Sequence, residues 1–256
     1  MQTDHLSING VQIEYRWAGS AGADREIVML HEGLGSTSLW RDFPDRLADA
    51  ARAHVLVYSR RGYGSSTALD SPRKVHYLHD EARIHLPALL SHFRIETPIL
   101  FGHSDGASIA LIYAAQQKST ARAVIALAPH VKFEDLTLRS IERLGSVFKS
   151  SKFRLRLARH HADVDGAFWG WNRIWLDPEF RTWNIESLLP EIRCPVLAIQ
   201  GAEDEYGTLE QVNSIARGVA NAEVISLPAC RHSPHRDQPE QVLTATGDFL
   251  DECLGQ

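Results

Sequence analysis

The chain has few cysteines, and none has the spacing of a metal site or a redox centre. Its 256 residues include three, Cys194, Cys230 and Cys253. An odd number without C-x-x-C spacing predicts a reduced chain without disulfides or structural zinc. The 13 histidines include no H-E-x-x-H pair, the pattern by which a helix holds a zinc ion. We therefore expect neither a metal nor a cofactor.

Long apolar runs and a strong net charge are also missing. No stretch approaches the roughly 20 apolar residues of a membrane-spanning helix, and residues 1–5 lack the features that begin a signal peptide. The net charge is −5, from 27 Lys and Arg against 32 Asp and Glu, which gives no reason to expect nucleic acid or an anionic membrane as a partner. We expect a cytoplasmic protein that binds a small-molecule substrate; assembly into a homo-oligomer is left open.

Short apolar strands alternate with helical segments along most of the chain. The pair Asn9-Gly10 is a hairpin signal between the first two strands. Six apolar runs of buried-strand type follow, at 26–31, 54–58, 98–100, 123–128, 195–201 and 223–227. Helical patterns lie near 40–52, 77–93, 107–117, 209–217 and 239–250. This alternation predicts an α/β fold with a mostly parallel sheet covered by helices on both faces, and Pro87 should kink its helix.

One segment interrupts the alternation. Between about 130 and 190 the sequence lacks a clear strand and carries four of the six tryptophans, namely Trp169, Trp171, Trp175 and Trp183. We interpret residues 131–189 as a helical cap inserted into a core domain of 1–130 and 190–256, covering the carboxyl ends of the strands. Large aromatic side chains serve equally to seal such an insertion and to contact a substrate, so both roles stay open here.

The residues Gly102-His103-Ser104-Asp105-Gly106 stand between an apolar strand and a helix. In a G-x-S-x-G turn of this kind the serine is held exposed in a strained conformation, and the glycines avoid collisions with the neighbouring strand and helix. The N-terminus of the following helix offers N–H groups to a developing negative charge. The pentapeptide alone would also fit a glycine-rich turn, but its context favours Ser104 as a nucleophile.

A serine nucleophile needs a base, and the base needs an acid to orient it. Asp204 follows a buried strand and is our candidate acid, with Glu203 and Glu205 as alternatives. His232 follows the next strand and is our candidate base, with His235 as the alternative. Loops after parallel strands open at one edge of a sheet, and the order Ser, Asp, His is typical of one class of hydrolase.

The same reasoning selects an oxyanion hole and a substrate pocket. One donor should be the N–H of Asp105, directly after the nucleophile, and the second should be Gly33, in the loop after strand 26–31. Gly33 would also fit as an ordinary turn residue. Candidate substrate contacts are Leu34, His103, His130, Trp169 and Trp171.

Taken together, these motifs resemble the α/β-hydrolase superfamily from about Leu6 to Leu250. The resemblance rests on residues 31–36, 61–65, 102–106, 201–204 and 232–234. It implies an eight-stranded, mostly parallel sheet with a small helical cap, and it assigns the triad positions to Ser104, Asp204 and His232 and the oxyanion positions to Gly33 and Asp105.

The chain departs from the family pattern at three positions. Glu32 stands where a glycine usually follows the histidine of the oxyanion loop, and it brings a carboxylate close to a site that must stabilise negative charge. It either points away or holds the loop by hydrogen bonding. Arg231 replaces the glycine that usually precedes the catalytic histidine, and Asp105 stands where relatives often have an apolar residue or glutamine.

The resemblance implies a carboxylesterase-like serine hydrolase that cleaves a small apolar or aromatic molecule through an acyl-enzyme. Hydrolysis of a C–C bond, an enol-lactone or a thioester, and perhydrolysis, use the same triad and stay open as alternatives. Haloalkane dehalogenases and epoxide hydrolases fit less well, because their nucleophile is an aspartate where this chain has Ser104. A ligand-binding relative without turnover would not need the intact set of Ser104, Asp204 and His232.

Overall fold

The computed structural model describes residues 3–150 and 152–255. Its strands are β1 Asp4–Ile8, β2 Val11–Ala18, β3 Arg25–Leu30, β4 Ala53–Tyr58, β5 Ile99–His103, β6 Ala123–Leu127, β7 Val196–Gly201 and β8 Ala222–Leu227. Its α-helices are α1 Phe43–Ala51, α2 Tyr77–Asp80, α3 Leu86–Phe93, α4 Asp105–Ala114, α5 Asp135–Ser150, α6 Phe153–Leu157, α7 Val164–Trp175, α8 Glu210–Gly218, α9 Pro234–Asp237 and α10 Pro239–Leu254. None of the described helices is long and apolar enough to cross a bilayer.

The eight strands form one sheet in the order β1-β2-β4-β3-β5-β6-β7-β8. Strand β2 is antiparallel to both of its neighbours, β1 and β4, and every other pair is parallel. The first pair is the predicted hairpin, in which Asn9 and Gly10 both have positive φ, as a tight turn of this type requires. The predicted fold class, a mostly parallel eight-stranded sheet with helices on both faces, is confirmed.

Alternate residues of the buried strands face opposite apolar layers, because side chains of a strand point to its two faces in turn. In β3, Ile27 and Met29 pack with α1 and α10, whereas Val28 and Leu30 pack with α2, α3 and α4. Strands buried on both faces read as continuous apolar runs, which explains why the sequence predicts them well. Because β3 and β5 to β8 run parallel in one sheet, the carboxyl ends of β3, β5, β7 and β8 lie at one edge.

The helix predicted over 77–93 is interrupted rather than simply bent. A π-helical turn, Glu81–His85, separates α2 from α3 and ends just before Pro87. Pro87 has no N–H, and its ring crowds the carbonyl four residues earlier. In the wider turn the N–H of Leu86 reaches back to the carbonyl of Glu81, so a π-bulge stands where the sequence predicted a kink.

The segment between β6 and β7 is helical, as predicted. It contains α5, α6 and α7, followed by 3₁₀ turns at Pro178–Thr182 and Glu186–Glu191. One isolated antiparallel bridge, between Lys132 and Asn184, joins its two ends. The division into a core of 1–130 and 190–256 and a cap of 131–189 stays a prediction.

Candidate active site

The backbone at Ser104 has the geometry of a strained turn between β5 and α4. Its φ is 53° and its ψ is −119°, a conformation that costs a non-glycine residue about 1–3 kcal/mol. The Ser104 N–H donates to the carbonyl of Leu127 in the neighbouring strand at 2.9 Å, and its carbonyl accepts from the N–H of Ala107 at 2.9 Å. These bonds hold the turn on both sides and leave the hydroxyl facing a cavity.

The two glycines of the turn are required by close backbone contacts. A Cβ on Gly102 would lie 2.4 Å from the carbonyl oxygen of Gly106, inside the following helix. A Cβ on Gly106 would lie 2.0 Å from the carbonyl oxygen of Leu30, in the adjacent strand β3. Both distances are far below a normal van der Waals contact, so the collisions expected from the sequence are present.

The three side chains chosen as nucleophile, base and acid meet at the carboxyl edge of the sheet. The Nε2 atom of His232 lies 2.9 Å from Ser104 Oγ. Its Nδ1 lies 2.8 and 2.9 Å from the two carboxylate oxygens of Asp204. Because a carboxylate only accepts, Nδ1 carries the proton, and in the neutral ring Nε2 is free to accept from the serine hydroxyl.

The charges in this chain of contacts support each other. Burial alone would lower the pKa of His232, but the Asp204 carboxylate outweighs it and raises that pKa above its ordinary value. Burial alone would raise the pKa of Asp204, yet the His232 ring and the backbone N–H of Tyr206 lower it to about 2. Asp204 is therefore ionised at neutral pH and stabilises a protonated His232.

The alternatives to Asp204 and His232 lie elsewhere. Glu203 is exposed, and Glu205 accepts from the backbone N–H of His232 at 3.2 Å rather than from its ring. His235 is buried against Trp40, with a ring-centroid distance of 4.8 Å, and neither of its ring nitrogens has a hydrogen-bond partner among the described residues. The geometry thus singles out Asp204 and His232 from the sets that the sequence left open.

The two residues chosen for an oxyanion hole both border the cavity beside Ser104. Asp105 is the first residue of α4, where the N–H groups of a helix point outward. Gly33 packs directly against an indole ring, since a Cβ there would lie 2.0 Å from Trp171 Nε1. A side chain at residue 33 would therefore displace Trp171, which gives this glycine a packing role as well.

A chain of hydrogen bonds holds the Asp105 side chain in place. Its Oδ2 accepts from the hydroxyl of Tyr77 at 2.6 Å, and that hydroxyl accepts from Trp175 Nε1 at 2.9 Å. Burial raises the pKa of Asp105 despite the nearby Arg60 guanidinium. The start of α4, α2 and α7 are thereby connected through the side chains of Asp105, Tyr77 and Trp175.

A cavity of about 290 Å³ opens at Ser104 and His232. Three predicted substrate contacts, Leu34, His103 and His130, border it together with the proposed triad residues Ser104 and His232. Burial lowers the pKa of His130 to about 3, so this ring is neutral. The other apolar residues of the wall are Leu39, Ile141, Leu144, Phe153, Leu157, Trp171, Trp175 and Tyr206.

The two predicted tryptophan contacts separate in the structure. Trp171 borders the cavity, but Trp169 does not. Trp169 lies on another side of α7, between the cations of Lys149 at 5.4 Å and Arg173 at 5.7 Å from its ring. Trp175, which was not among the predicted contacts, borders the cavity. It lies four residues after Trp171 and so shares its helix face, whereas Trp169 lies two residues before Trp171 and does not. This spacing could have identified Trp175 from the sequence.

The two other departures from the family pattern have visible partners. Glu32 contacts Nδ1 of His103 at 3.5 Å and the guanidinium of Arg236 at 3.3 Å, so it holds the loop rather than pointing away. Arg231 extends outward, and Asp237 accepts from its backbone N–H at 2.9 Å and contacts its guanidinium at 3.2 Å. Arg231 therefore clamps the loop that carries His232.

No group of three or more metal-ligating side chains occurs among the described residues.

Comparison with known proteins gives a consistent family. A proline iminopeptidase from Lactobacillus crispatus is 30% identical over 41% of this chain, which spans only 35% of that relative. An sn-1-specific diacylglycerol lipase from Mus musculus is 23% identical, with 88% of this chain and 80% of the relative covered. A solved structure from a study of carboxylesterases of Nitrososphaera gargenis has a TM-score of 0.80 and 22% identity, covering 98% and 99% of the two chains.

The match extends through the parallel part of the sheet and through the site. The model of the alpha/beta hydrolase family matches residues 27–245, which run from within β3 to within α10 and include all the site residues described above. The strand order, the strained serine turn and the family match agree with one another. The chain belongs to the alpha/beta hydrolase family.

Proposed function

We propose that this protein is a serine hydrolase that cleaves the carboxylic ester, or a related acyl bond, of a small apolar or aromatic molecule. The observation that carries the proposal is the unbroken contact chain from Ser104 Oγ through the His232 ring to Asp204. A family resemblance alone would leave turnover open, whereas this arrangement is the one that activates a serine hydroxyl at neutral pH.

The mechanism follows from the protons that these atoms hold. Ser104 Oγ attacks the acyl carbonyl while His232 Nε2 removes its proton, and Asp204 stabilises the imidazolium that forms. The N–H groups of Gly33 and Asp105 are the proposed donors to the tetrahedral oxyanion. His232 then protonates the leaving alcohol, the acyl-enzyme forms, and a water deprotonated by His232 releases the acid.

The cavity supports a small acyl or alcohol part with apolar character. Its volume of about 290 Å³ lies just below the range, about 300–1,000 Å³, in which proteins bind drug-sized molecules. The aromatic wall from Trp171, Trp175 and Tyr206 offers stacking surface beside Ser104. We propose that residues 131–189 act as the cap that supplies most of this wall.

Replacement of the nucleophile tests the proposal. Ser104→Ala should lower kcat for p-nitrophenyl butyrate by roughly 10⁴- to 10⁶-fold while the fold stays intact, and it should abolish labelling by a fluorophosphonate probe. Ser233→Ala is the matched control. Ser233 borders the same cavity, but the serine hydroxyl that contacts His232 Nε2 belongs to Ser104. Equal turnover by the wild-type and Ser104→Ala proteins would refute the proposed nucleophile.

The similarity to a proline iminopeptidase defines the second activity to assay. Assaying a proline p-nitroanilide beside the ester compares amide with ester hydrolysis. Both reactions would depend on Ser104, so the ratio of the two kcat/KM values reports the preferred bond. Preference for the anilide would move the proposal to peptide bonds without changing the assigned residues.

A further inference from the structure

Three acidic residues and one basic residue are among those that line the cavity. The acidic residues are Glu32, Glu205 and Asp105, whose carboxyl accepts from the Tyr77 hydroxyl, and Arg236 is the single Lys or Arg in the lining formed by the described residues. A carboxylate or phosphate on a substrate needs a cation within a few ångström to compensate for its lost hydration. Arg236 is therefore the residue that decides whether such a substrate can bind.

Arg236 is already engaged by the protein. Its guanidinium contacts Glu32 Oε1 at 3.3 Å and the carbonyl of Leu39 at 3.2 Å. Glu32 is largely buried, with 18% of its side chain exposed, and Arg236 is 35% exposed at the cavity mouth. Although burial alone would raise the pKa of Glu32, His103 and Arg236 hold it well below its ordinary value, so the carboxylate is charged at neutral pH.

A second charged carboxylate residue lines the cavity without a basic partner from the lining. Glu205 is exposed and accepts from the backbone N–H of His232 at 3.2 Å. With Arg236 paired to Glu32, the described lining holds no other Lys or Arg to compensate an anion. A site without a free cation rejects an anionic ligand while it keeps its contacts to a neutral one.

We propose that Glu32 is a specificity-determining residue that pairs with the cation of Arg236 and restricts the site to uncharged substrates. This inference rests on the proposed hydrolase function and names its substrate class. It favours neutral esters over the carboxylate-bearing esters, enol-lactones and diketones that the same triad could attack. It also gives a role to the carboxylate that stands in place of glycine after His31.

The test compares ligands that differ in charge at the end of one acyl chain. The three probes are p-nitrophenyl pentanoate, the uncharged p-nitrophenyl methyl glutarate, and the mono-p-nitrophenyl ester of glutaric acid. Dissociation constants are measured by calorimetry on the Ser104→Ala protein, so that the result does not depend on turnover. The wild-type protein is then assayed for kcat/KM with the same probes.

We expect the glutarate monoester to bind at least about tenfold more weakly than both neutral esters, the effect of an uncompensated charge in a partly solvated site. Adding Glu32→Gln should reduce this affinity gap, the ratio of the dissociation constants of the charged and neutral probes, by about tenfold. Arg236 is then available to the substrate. Glu205→Gln removes the same formal charge without releasing a guanidinium and should narrow the gap less. The distant Glu223→Gln, on exposed β8, should leave it unchanged.

The double variant Glu32→Gln/Arg236→Gln completes the cycle, and in it the gain for the glutarate monoester should disappear. Equal affinity of the parent protein for charged and neutral probes would overturn the proposal. An unchanged gap in Glu32→Gln would overturn it as well. If the probes show the expected affinities but the wild-type protein hydrolyses none of them, the proposed hydrolase function fails and the assignment of ligand class stands.

Discussion

The pH dependence of activity is the sharpest test of the proposed triad. Catalysis requires a neutral His232 to accept the serine proton, and the neighbouring Asp204 carboxylate raises the pKa of that ring. The acidic limb of the kcat/KM profile should therefore lie above the ordinary histidine value of about 6.5. Activity is lost as the pH falls through that limb, because His232 becomes protonated before it can act as a base.

Replacing Asp204 by Asn should move the limb in a calculable direction. With Nδ1 at 2.8 and 2.9 Å from the two carboxylate oxygens, the charge centres are about 4 Å apart, which is worth about 4 kcal/mol at an effective dielectric constant of about 20. Since 12% of the His232 side chain is exposed, screening reduces this energy, and we expect the acidic limb to move to lower pH.

The rate should fall as well, by roughly 10²- to 10⁴-fold, because an asparagine amide no longer fixes the required tautomer. The assay is kcat/KM for p-nitrophenyl butyrate against pH, followed at a wavelength where product ionisation does not contribute. Glu203→Gln is the matched control on the same loop, and it should leave both the limb and the rate close to wild type. An unmoved limb in Asp204→Asn, or a larger shift in Glu203→Gln, would refute this reasoning.

Two further predictions concern packing. Gly106→Ala should lower the unfolding free energy by about 3 kcal/mol and Tm by about 6–12 °C, because its Cβ would lie 2.0 Å from the Leu30 carbonyl; Gly145→Ala, whose Cβ would have an ordinary 3.4 Å contact, is the control, and equal melting of the two would contradict the steric argument. Trp171→Ala should change the ratio of KM values for p-nitrophenyl octanoate and butyrate by roughly tenfold, whereas Trp169→Ala, outside the cavity, should change it less than about twofold. A similar effect of both substitutions would show that the acyl part does not rest on Trp171.

The sheet could be predicted because its signals are local. A strand buried on both faces must be apolar along its whole length. A run such as 123–128 can therefore be recognised from its own residues, without information on the strands beside it. The hairpin at Asn9 and Gly10 is equally local, since both residues need positive φ. The predicted helix over 77–93 was less exact, because one proline can be accommodated by a kink or by a π-bulge and the choice depends on packing.

The site required a different kind of information. The order of Ser104, Asp204 and His232 was readable, but the choice between Asp204 and its acidic neighbours depended on which carboxylate points at the ring. The prediction that Trp169 contacts the substrate together with Trp171 was wrong, because the sequence shows the tryptophans as one cluster and only Trp171 of the two borders the cavity. The register of α7, with Trp171 and Trp175 on one face, would have separated them once the helix boundaries were known.

Two carboxyl groups stand beside a site that must stabilise a negative oxyanion, and their partners explain how both fit. Asp105 supplies a proposed N–H donor while its own carboxyl is turned onto the Tyr77 hydroxyl, and burial raises its pKa, which reduces its tendency to carry charge. Glu32 stays charged but faces Arg236. The partners Tyr77 and Arg236 lie 28 and 204 residues away along the chain, so only the folded structure could show that these two substitutions are compatible with catalysis.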